Sequence, residues 1–366
     1  MGRAKSTEPA PADSFPAATA DYEAWLGEHI ALVPDDLRLK HERMKQSPLG
    51  FLRATFYRWM QLWPAVCPEL ADARPVLAVG DLHLENFGTW RDREGRLVWG
   101  VNDFDEAYEL PYALDLVRLA ASVLISIGAG DLKLDGGEAC GLILDGYRQT
   151  LEDGGRPFVL SGGFDWLKDL AVADLRDPKA FAAKMEALEK PDYAVPAKVE
   201  RALAAQMPAK GLMLRYKHRV AGLGSLGRRR VVGLGDWCGG LVAREAKALA
   251  PSACVWAAGH GSNELMYETI TDRADRCPDP FLRVRSRWVI RRLAADSSSI
   301  TLDHLPKGKE KKMLTAMGRE SGNIHLGGAR GALIKDIKSR PKDWLEAAAH
   351  RMTQATLADW DVWKST

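Results

Sequence analysis

The segment that most constrains this chain runs from Val79 to Leu119, where polar groups of particular types sit immediately after apolar strands. Val76-Leu77-Ala78-Val79 is a buried-strand pattern that leads directly into Gly80-Asp81, and Asn86 follows five residues after the aspartate. A polar stretch from Arg91 to Arg96, containing Gly95, predicts a hairpin turn. Leu97-Val98-Trp99-Gly100-Val101 then predicts a strand that delivers Asn102-Asp103-Phe104-Asp105. Two strands joined in this way can bring both acidic loops to one end of a sheet. The residue types suit transfer of a phosphoryl group to a hydroxyl. One carboxylate orients the acceptor and takes its proton, while a second carboxylate and an amide oxygen hold the magnesium that neutralises the phosphates.

Around this segment the pattern is mostly helical. Residues 1–20 are rich in Ala, Pro, Ser and Thr, which predicts a disordered tail. A helix is expected from Asp21 through Ile30. Ser47-Pro48 supplies an N-cap and a first-turn proline for a helix through Phe51, Leu52, Thr55, Phe56, Trp59 and Trp63, ended by Pro64. Ala113 to Ile127, residues 134–152 and 165–207, a stretch around Ser262 to Thr271 and the last sixty residues also have helical periodicity. Val220 to Ala246 differs: short β-branched runs alternate with glycines, as in a small antiparallel sheet. Trp288 to Leu293 is a further strand.

Asp81-Leu82-His83-Leu84-Glu85-Asn86 resembles the D-x-x-x-x-N catalytic loop shared by protein kinases and aminoglycoside phosphotransferases, and the Gly80-Asp81-Leu82-His83 wording is nearer the aminoglycoside and choline kinase branch. Val101-Asn102-Asp103-Phe104-Asp105-Glu106-Ala107 is similar to that branch's metal-binding segment, and Pro111-Tyr112-Ala113-Leu114-Asp115-Leu116 to its D-P-x-x-D-L helix start. The resemblance implies Asp81 as catalytic base, Asn86 and Asp103 as metal ligands, and Asp115 as a brace of the loop backbone. Asp105 is either a second metal ligand or a brace, and His83 is a loop brace. Most of the chain also resembles a large bacterial family known as domain of unknown function 2252, through Ser47 to Arg53, Gly80 to Gly88, Asn102 to Glu106 and Gly222 to Gly227.

No glycine-rich hairpin precedes Asp81, where an ordinary kinase keeps its nucleotide-clamping lobe. One occurs later. Val220 to Gly227 predicts a strand entering a turn, with Gly222, Gly224, Ser225 and Gly227 able to present N–H groups to phosphate oxygens. In the following strand Arg244 takes the place of the phosphate-gripping lysine, with Lys247 as the other candidate, and Glu264 or Glu268 on the next helix as its acidic partner. The expected fold class is therefore α+β, kinase-like, two-lobed and circularly permuted. Its expected divisions are the tail 1–20, a helical catalytic lobe 21–210, a β-rich nucleotide lobe 211–303, and C-terminal helices 304–366 that return to the large lobe.

The expected activity is an ATP- and Mg2+-dependent kinase acting on a hydroxyl, with the acceptor open and a small molecule among the choices. A nucleotide-binding pseudokinase, a nucleotidyl transferase and a metal-dependent phosphohydrolase are the alternatives. With 51 basic and 49 acidic residues the net charge is +2, which argues against nucleic acid as the main partner. Five cysteines without a CxxC pair fit a reducing cytoplasm. No uninterrupted apolar run of about 18 residues predicts a membrane span. His325 and His350 are expected at helix surfaces or in packing.

Overall fold

A computed structural model describes residues 14–173, 177–297, 308–327 and 330–366. In chain order it contains α1 (Phe15–His29), α2 (Pro34–Gln46), α3 (Pro48–Ala54), α4 (Phe56–Val66), β1 (Pro75–Ala78), β2 (Phe87–Arg91), β3 (Leu97–Val101), β4 (Tyr108–Pro111), α5 (Tyr112–Ala129), α6 (Gly136–Asp153), β5 (Phe158–Val159), α7 (Asp165–Ala173), α8 (Pro178–Glu186) and α9 (Ala197–Ala205). There follow β6 (Arg215–His218), β7 (Arg230–Trp237), β8 (Gly240–Ala248), α10 (Ala253–Ala258), α11 (Tyr267–Arg273), β9 (Arg283–Arg285), β10 (Trp288–Leu293), α12 (Glu310–His325), α13 (Arg330–Ser339) and α14 (Trp344–Trp363). The class is α+β.

Among the described residues the strands form three antiparallel sheets: β1 with β4, β2-β3-β5, and a five-stranded sheet in the order β6-β7-β8-β10-β9. One large apolar core joins α1, α3, α4, α5, α6, α12 and α14. At its centre, α5 is long and apolar enough to cross a membrane by length and composition alone, yet 83% of that window is buried inside the protein. It is a core helix. The five-stranded sheet has smaller cores of its own. Val199 and Leu203 of α9 pack on Val231, Ala246 and Ile290, and Met185 of α8 packs on Val232, Leu234 and Ala243.

Several elements depart from the sequence expectation. The first described helix starts at Phe15, not near Asp21, because Phe15 is itself a core residue against Phe51 and Trp363; residues 1–13 of the expected tail, and the expected boundary at 303/304, lie outside the described residues. The helix expected from Pro48 to Trp63 is two helices. Thr55 leaves helical geometry (φ −126°, ψ 38°) and its hydroxyl donates to the Phe51 carbonyl, which turns the chain. Pro64 sits inside the last turn of α4 rather than ending it. The partner of β3 in the hairpin is β2, which the sequence pattern did not single out; the expected strand at Val76 pairs with β4. Helices α8 and α9, assigned to the large lobe, cover the small sheet, where Met185, Val199 and Leu203 bury against its apolar side chains. Conversely, α10 and α11 sit within the span assigned to the small lobe, but Ala253, Cys254, Tyr267 and Ile270 join the large core.

Candidate functional site

The loop after β1 is held from below by one stripe of α5. Asp115, fully buried, accepts from the backbone N–H groups of Val79 at 2.7 Å and Gly80 at 2.9 Å. Three residues on, Arg118 donates from Nε and Nη2 to Oδ1 of Asp81 at 2.8 and 2.5 Å. Ser122 accepts from the Leu84 N–H at 3.0 Å. Steps of three and four residues place all three side chains on one helix face. His325, expected at a helix surface or in packing, is a packing residue: it is fully buried, with Nε2 3.1 Å from Asp115 and Nδ1 2.9 Å from the Tyr147 hydroxyl. Gly80 is required at its position: it has φ +80°, and a Cβ there would lie 2.5 Å from the Glu106 carbonyl oxygen.

Asn86 ties the two acidic loops together. Its amide nitrogen donates to the carbonyls of Asp81 and Asp103, both at 3.1 Å, and its Oδ1 accepts from the Asp103 N–H at 3.1 Å. His83 is buried, and its Nδ1 accepts from the Glu85 N–H at 3.2 Å. Burial, with Arg53 and Arg118 nearby, drives its pKa well below the usual histidine value. Burial raises the pKa of Asp81 from its ordinary value, against the opposing charge of Arg118.

The five-stranded sheet closes over these loops. Register puts Arg230 opposite Lys247, and Glu245 between Val232 and Arg291. With alternating side chains, Arg230, Glu245, Lys247 and Arg291 therefore share one face. Lys247, fully buried, donates to both carboxylate oxygens of Asp103, at 3.0 and 2.8 Å, and lies 2.7 Å from Asp105 Oδ2. Burial would raise Asp103, but Lys247 and then Arg291 hold it well below the carboxylate range. Burial and the adjacent Asp103 charge push Asp105 up. Arg228 braces the other side, reaching Asp105 at 3.3 Å and Glu106 at 3.0 Å.

The glycine-rich segment is a loop between β6 and β7 with a 3-10 turn at Leu223–Ser225, so its preceding strand is Arg215–His218 and not Val220 onward. Gly224 passes so close to α3 that a Cβ would lie 2.7 Å from the Arg53 carbonyl oxygen and 3.5 Å from Asp81 Oδ2. Gly222, Gly224 and Ser225 line one cavity of about 270 Å³ with Asp81, Asn86, Asp103 and Asp105. Gly227 lies outside that lining, over Leu37, and its carbonyl accepts from the Val33 N–H at 2.8 Å.

Arg244 is not in this cavity. It lies on the opposite face of β8, donates to the Gln206 carbonyl and stacks on Phe281. Glu264 is exposed, and Glu268 accepts from the Val284 N–H beside Arg285. Neither glutamate pairs with Lys247, whose partners are Asp103 and Asp105. A one-residue choice along a strand reverses the face, which is why Arg244 went to the wrong side. The strict alternation Glu245, Lys247 was the signal for the correct one. Arg118 and Ser122 were also legible in principle, as polar residues at i+3 and i+7 from Asp115 on an apolar helix.

Of the four carboxylate oxygens of Asp103 and Asp105, three face Lys247, and Asp105 Oδ2 also faces Arg228. Asp105 Oδ1 is buried without a hydrogen-bond partner, an orphaned acceptor beside Asp103. Among the described residues no cluster of three His, Cys, Asp or Glu side chains is arranged for a metal. A magnesium ion that keeps waters and takes phosphate oxygens needs only one or two carboxylates.

Residues 32–161 match the family described as "Uncharacterized protein conserved in bacteria (DUF2252)". The matched span runs from just before α2 to just after β5, and so carries Asp81, Asn86, Asp103, Asp105, Asp115 and Arg118. It stops before the five-stranded sheet. No curated protein and no solved structure matches the chain.

Away from the cleft, Glu320 of α12 is buried against β3, accepting from the Val101 N–H at 3.3 Å and from Asn323 at 3.0 Å. Burial pushes its pKa up to about 7 from 4.5. The folded chain therefore holds this proton more tightly than the unfolded chain. The stabilisation is complete below about pH 4.5 and is lost as pH rises toward 7. Glu320→Gln should remove roughly 1–3 kcal/mol of the stability difference between pH 5 and pH 8. Urea titrations of both proteins at the two pH values measure this, and identical pH slopes would refute it.

Proposed function

We propose that the protein is an ATP- and magnesium-dependent phosphotransferase that acts on a hydroxyl-bearing acceptor, with a kinase-like, permuted arrangement of its two lobes. One observation carries the reading: the glycine loop at Gly222–Ser225 and the acidic loops at Asp81 and Asp103, more than a hundred residues apart in sequence, line a single cavity. The five-stranded sheet adds support. Its third strand carries the buried lysine, and two helices separate that strand from the last two.

In this reading Asp105, through its open Oδ1, and Asp103 would hold a magnesium ion, which would neutralise phosphate charge. Asn86 keeps the two acidic loops at a fixed separation. Asp81 orients the acceptor hydroxyl and takes its proton on Oδ2, while Arg118 anchors Oδ1. The glycine loop excludes water above Asp81 and offers N–H groups to phosphate oxygens. A second reading, nucleotide binding without phosphoryl transfer, is favoured by one feature: the buried Arg118 fork occupies Asp81 Oδ1 and offsets part of the burial that raises its pKa, which weakens it as a base. Nucleotidyl transfer is a further alternative. A phosphohydrolase would leave the glycine loop over Asp81 without a role.

Calorimetric titration with ATP, with and without magnesium, tests the reading. Asp103→Asn should weaken magnesium-dependent ATP binding by about 10-fold or more, since it removes one of two carboxylates from a hydrated ion. Mass spectrometry of an acceptor-screen product separates phosphate from nucleotide transfer. ATP affinity indifferent to magnesium, together with no ATP turnover, would overturn the proposal.

A further inference from the structure

Three arginines on the sheet side of the cleft share one buried carboxylate. Glu245 is fully buried and takes Arg219 Nη1 at 2.5 Å, Arg230 Nη1 at 2.7 Å and Arg291 Nε at 3.3 Å. All three arginines line the same cavity as Asp81 and Asp103. Three guanidinium charges on one carboxylate leave a surplus of two positive charges at the cavity roof. Burial alone would raise the Glu245 pKa, but its three partners, Arg230 first, hold it far below the carboxylate range, so the cluster keeps this charge throughout the physiological pH range.

The cluster is also rigid. Arg230 Nη2 donates to Ser225 Oγ at 2.7 Å, which ties it to the glycine loop, and Arg291 Nη1 donates to the Asn102 carbonyl at 3.3 Å, which ties it to the metal-side loop. Lys247 cannot supply this surplus, because it is committed to Asp103 and Asp105. On the floor three cations, Arg118, Arg228 and Lys247, face the four carboxylates of Asp81, Asp103, Asp105 and Glu106, so the floor draws on no more than one of the two surplus charges.

We infer that Arg219, Arg230 and Arg291 form a polyphosphate grip, which recognises a chain of at least two linked phosphates without needing the base or the metal. Guanidinium forks match phosphate oxygens in pairs, and a prepositioned fork loses little freedom on binding. An isolated monophosphate would satisfy only part of a surplus spread over three side chains. The inference rests on the reading of this cleft as a nucleotide site and supplies the residues that hold the ligand's charged end.

The test uses inorganic tripolyphosphate in EDTA, followed by calorimetry on the full chain. Wild type should bind it, and adenosine should not compete. Arg219→Gln and Arg291→Gln should each weaken binding by about 10-fold or more. Arg219→Lys, which keeps the charge but loses the fork, should fall between wild type and Arg219→Gln. Arg244→Gln, on the opposite face of β8, should bind as wild type does. Thermal melts identify any variant that fails to fold, and Arg219, the most exposed of the three at 27%, is the one whose loss the fold tolerates best. Wild type that ignores tripolyphosphate without magnesium, or folded Arg219 and Arg291 variants with unchanged affinity, would overturn the grip. Arginine-dependent tripolyphosphate binding in a protein with no ATP turnover would keep the grip and remove the phosphotransferase reading instead.

Discussion

Asp81→Asn is expected to lower phosphotransfer by roughly 10²–10⁴-fold, the usual contribution of a positioned general base. The substitution is chosen over alanine for a structural reason. Arg118 is fully buried, its Nη1 has no hydrogen-bond partner, its Nε and Nη2 both donate to Asp81 Oδ1, and Nη2 also donates to the Leu52 carbonyl. Alanine would strand that charge and confuse a folding defect with a chemical one. Asparagine retains an oxygen for Arg118 and replaces Oδ2, the oxygen under Gly224 that would accept the proton, with an amide. Magnesium-dependent ATP binding should persist in this variant, because the proposed phosphate contacts lie on the opposite wall of the cleft. Turnover measured with a productive acceptor decides the matter: an Asp81→Asn protein with wild-type rate would remove Asp81 from the chemistry and leave it a partner of Arg118 only.

The largest effect on stability is expected for Asp115→Ala, about 3–5 kcal/mol. Its carboxylate accepts from two buried backbone N–H groups and faces the buried ring of His325. Truncation leaves the N–H groups of Val79 and Gly80 unsatisfied, and each such loss costs about 1–3 kcal/mol. The damage also falls where it bears on function, since these two residues immediately precede Asp81. Asp115→Asn, which keeps one acceptor oxygen, should lose less. Denaturant unfolding of the two variants checks both the magnitude and the order. A loss below about 1 kcal/mol for Asp115→Ala would mean that water or another group satisfies the loop backbone, contrary to the brace described here.

The two acidic loops were readable because their geometry is local. A strand, a tight turn at Gly80 and a hairpin suffice to put Asp81, Asn86 and Asp103 together, and Asp115 lies one short helix start away. Local periodicity likewise marked α5 and the run from Pro48 to Trp63, although not the break at Thr55, where a side-chain hydrogen bond competes with the helix. The reading failed where the deciding contact is distant. Glu264 and Glu268 follow β8 on a plausible helix, but the anionic partners of Lys247 come from residues 103 and 105, and the helix packs elsewhere. His325 looks like an ordinary polar residue near a helix end until α12 sets it against Asp115 and Tyr147.

By itself, the sequence determined the identity and spacing of the acidic groups, the glycine loop, and the α+β class, because each depends on steric and periodic rules that act within a few residues. Only the tertiary structure decided which face of β8 meets the cleft, and therefore that Lys247 rather than Arg244 reaches the aspartates. It also decided that Arg219, Arg230 and Arg291 converge on Glu245. For the strand residues the physical reason is that side chains alternate, so a change of a single residue in register exchanges the buried face for its opposite, and only packing against the rest of the molecule selects between them; Arg219, in the loop after β6, reaches Glu245 only because β6, β7 and β8 pair side by side.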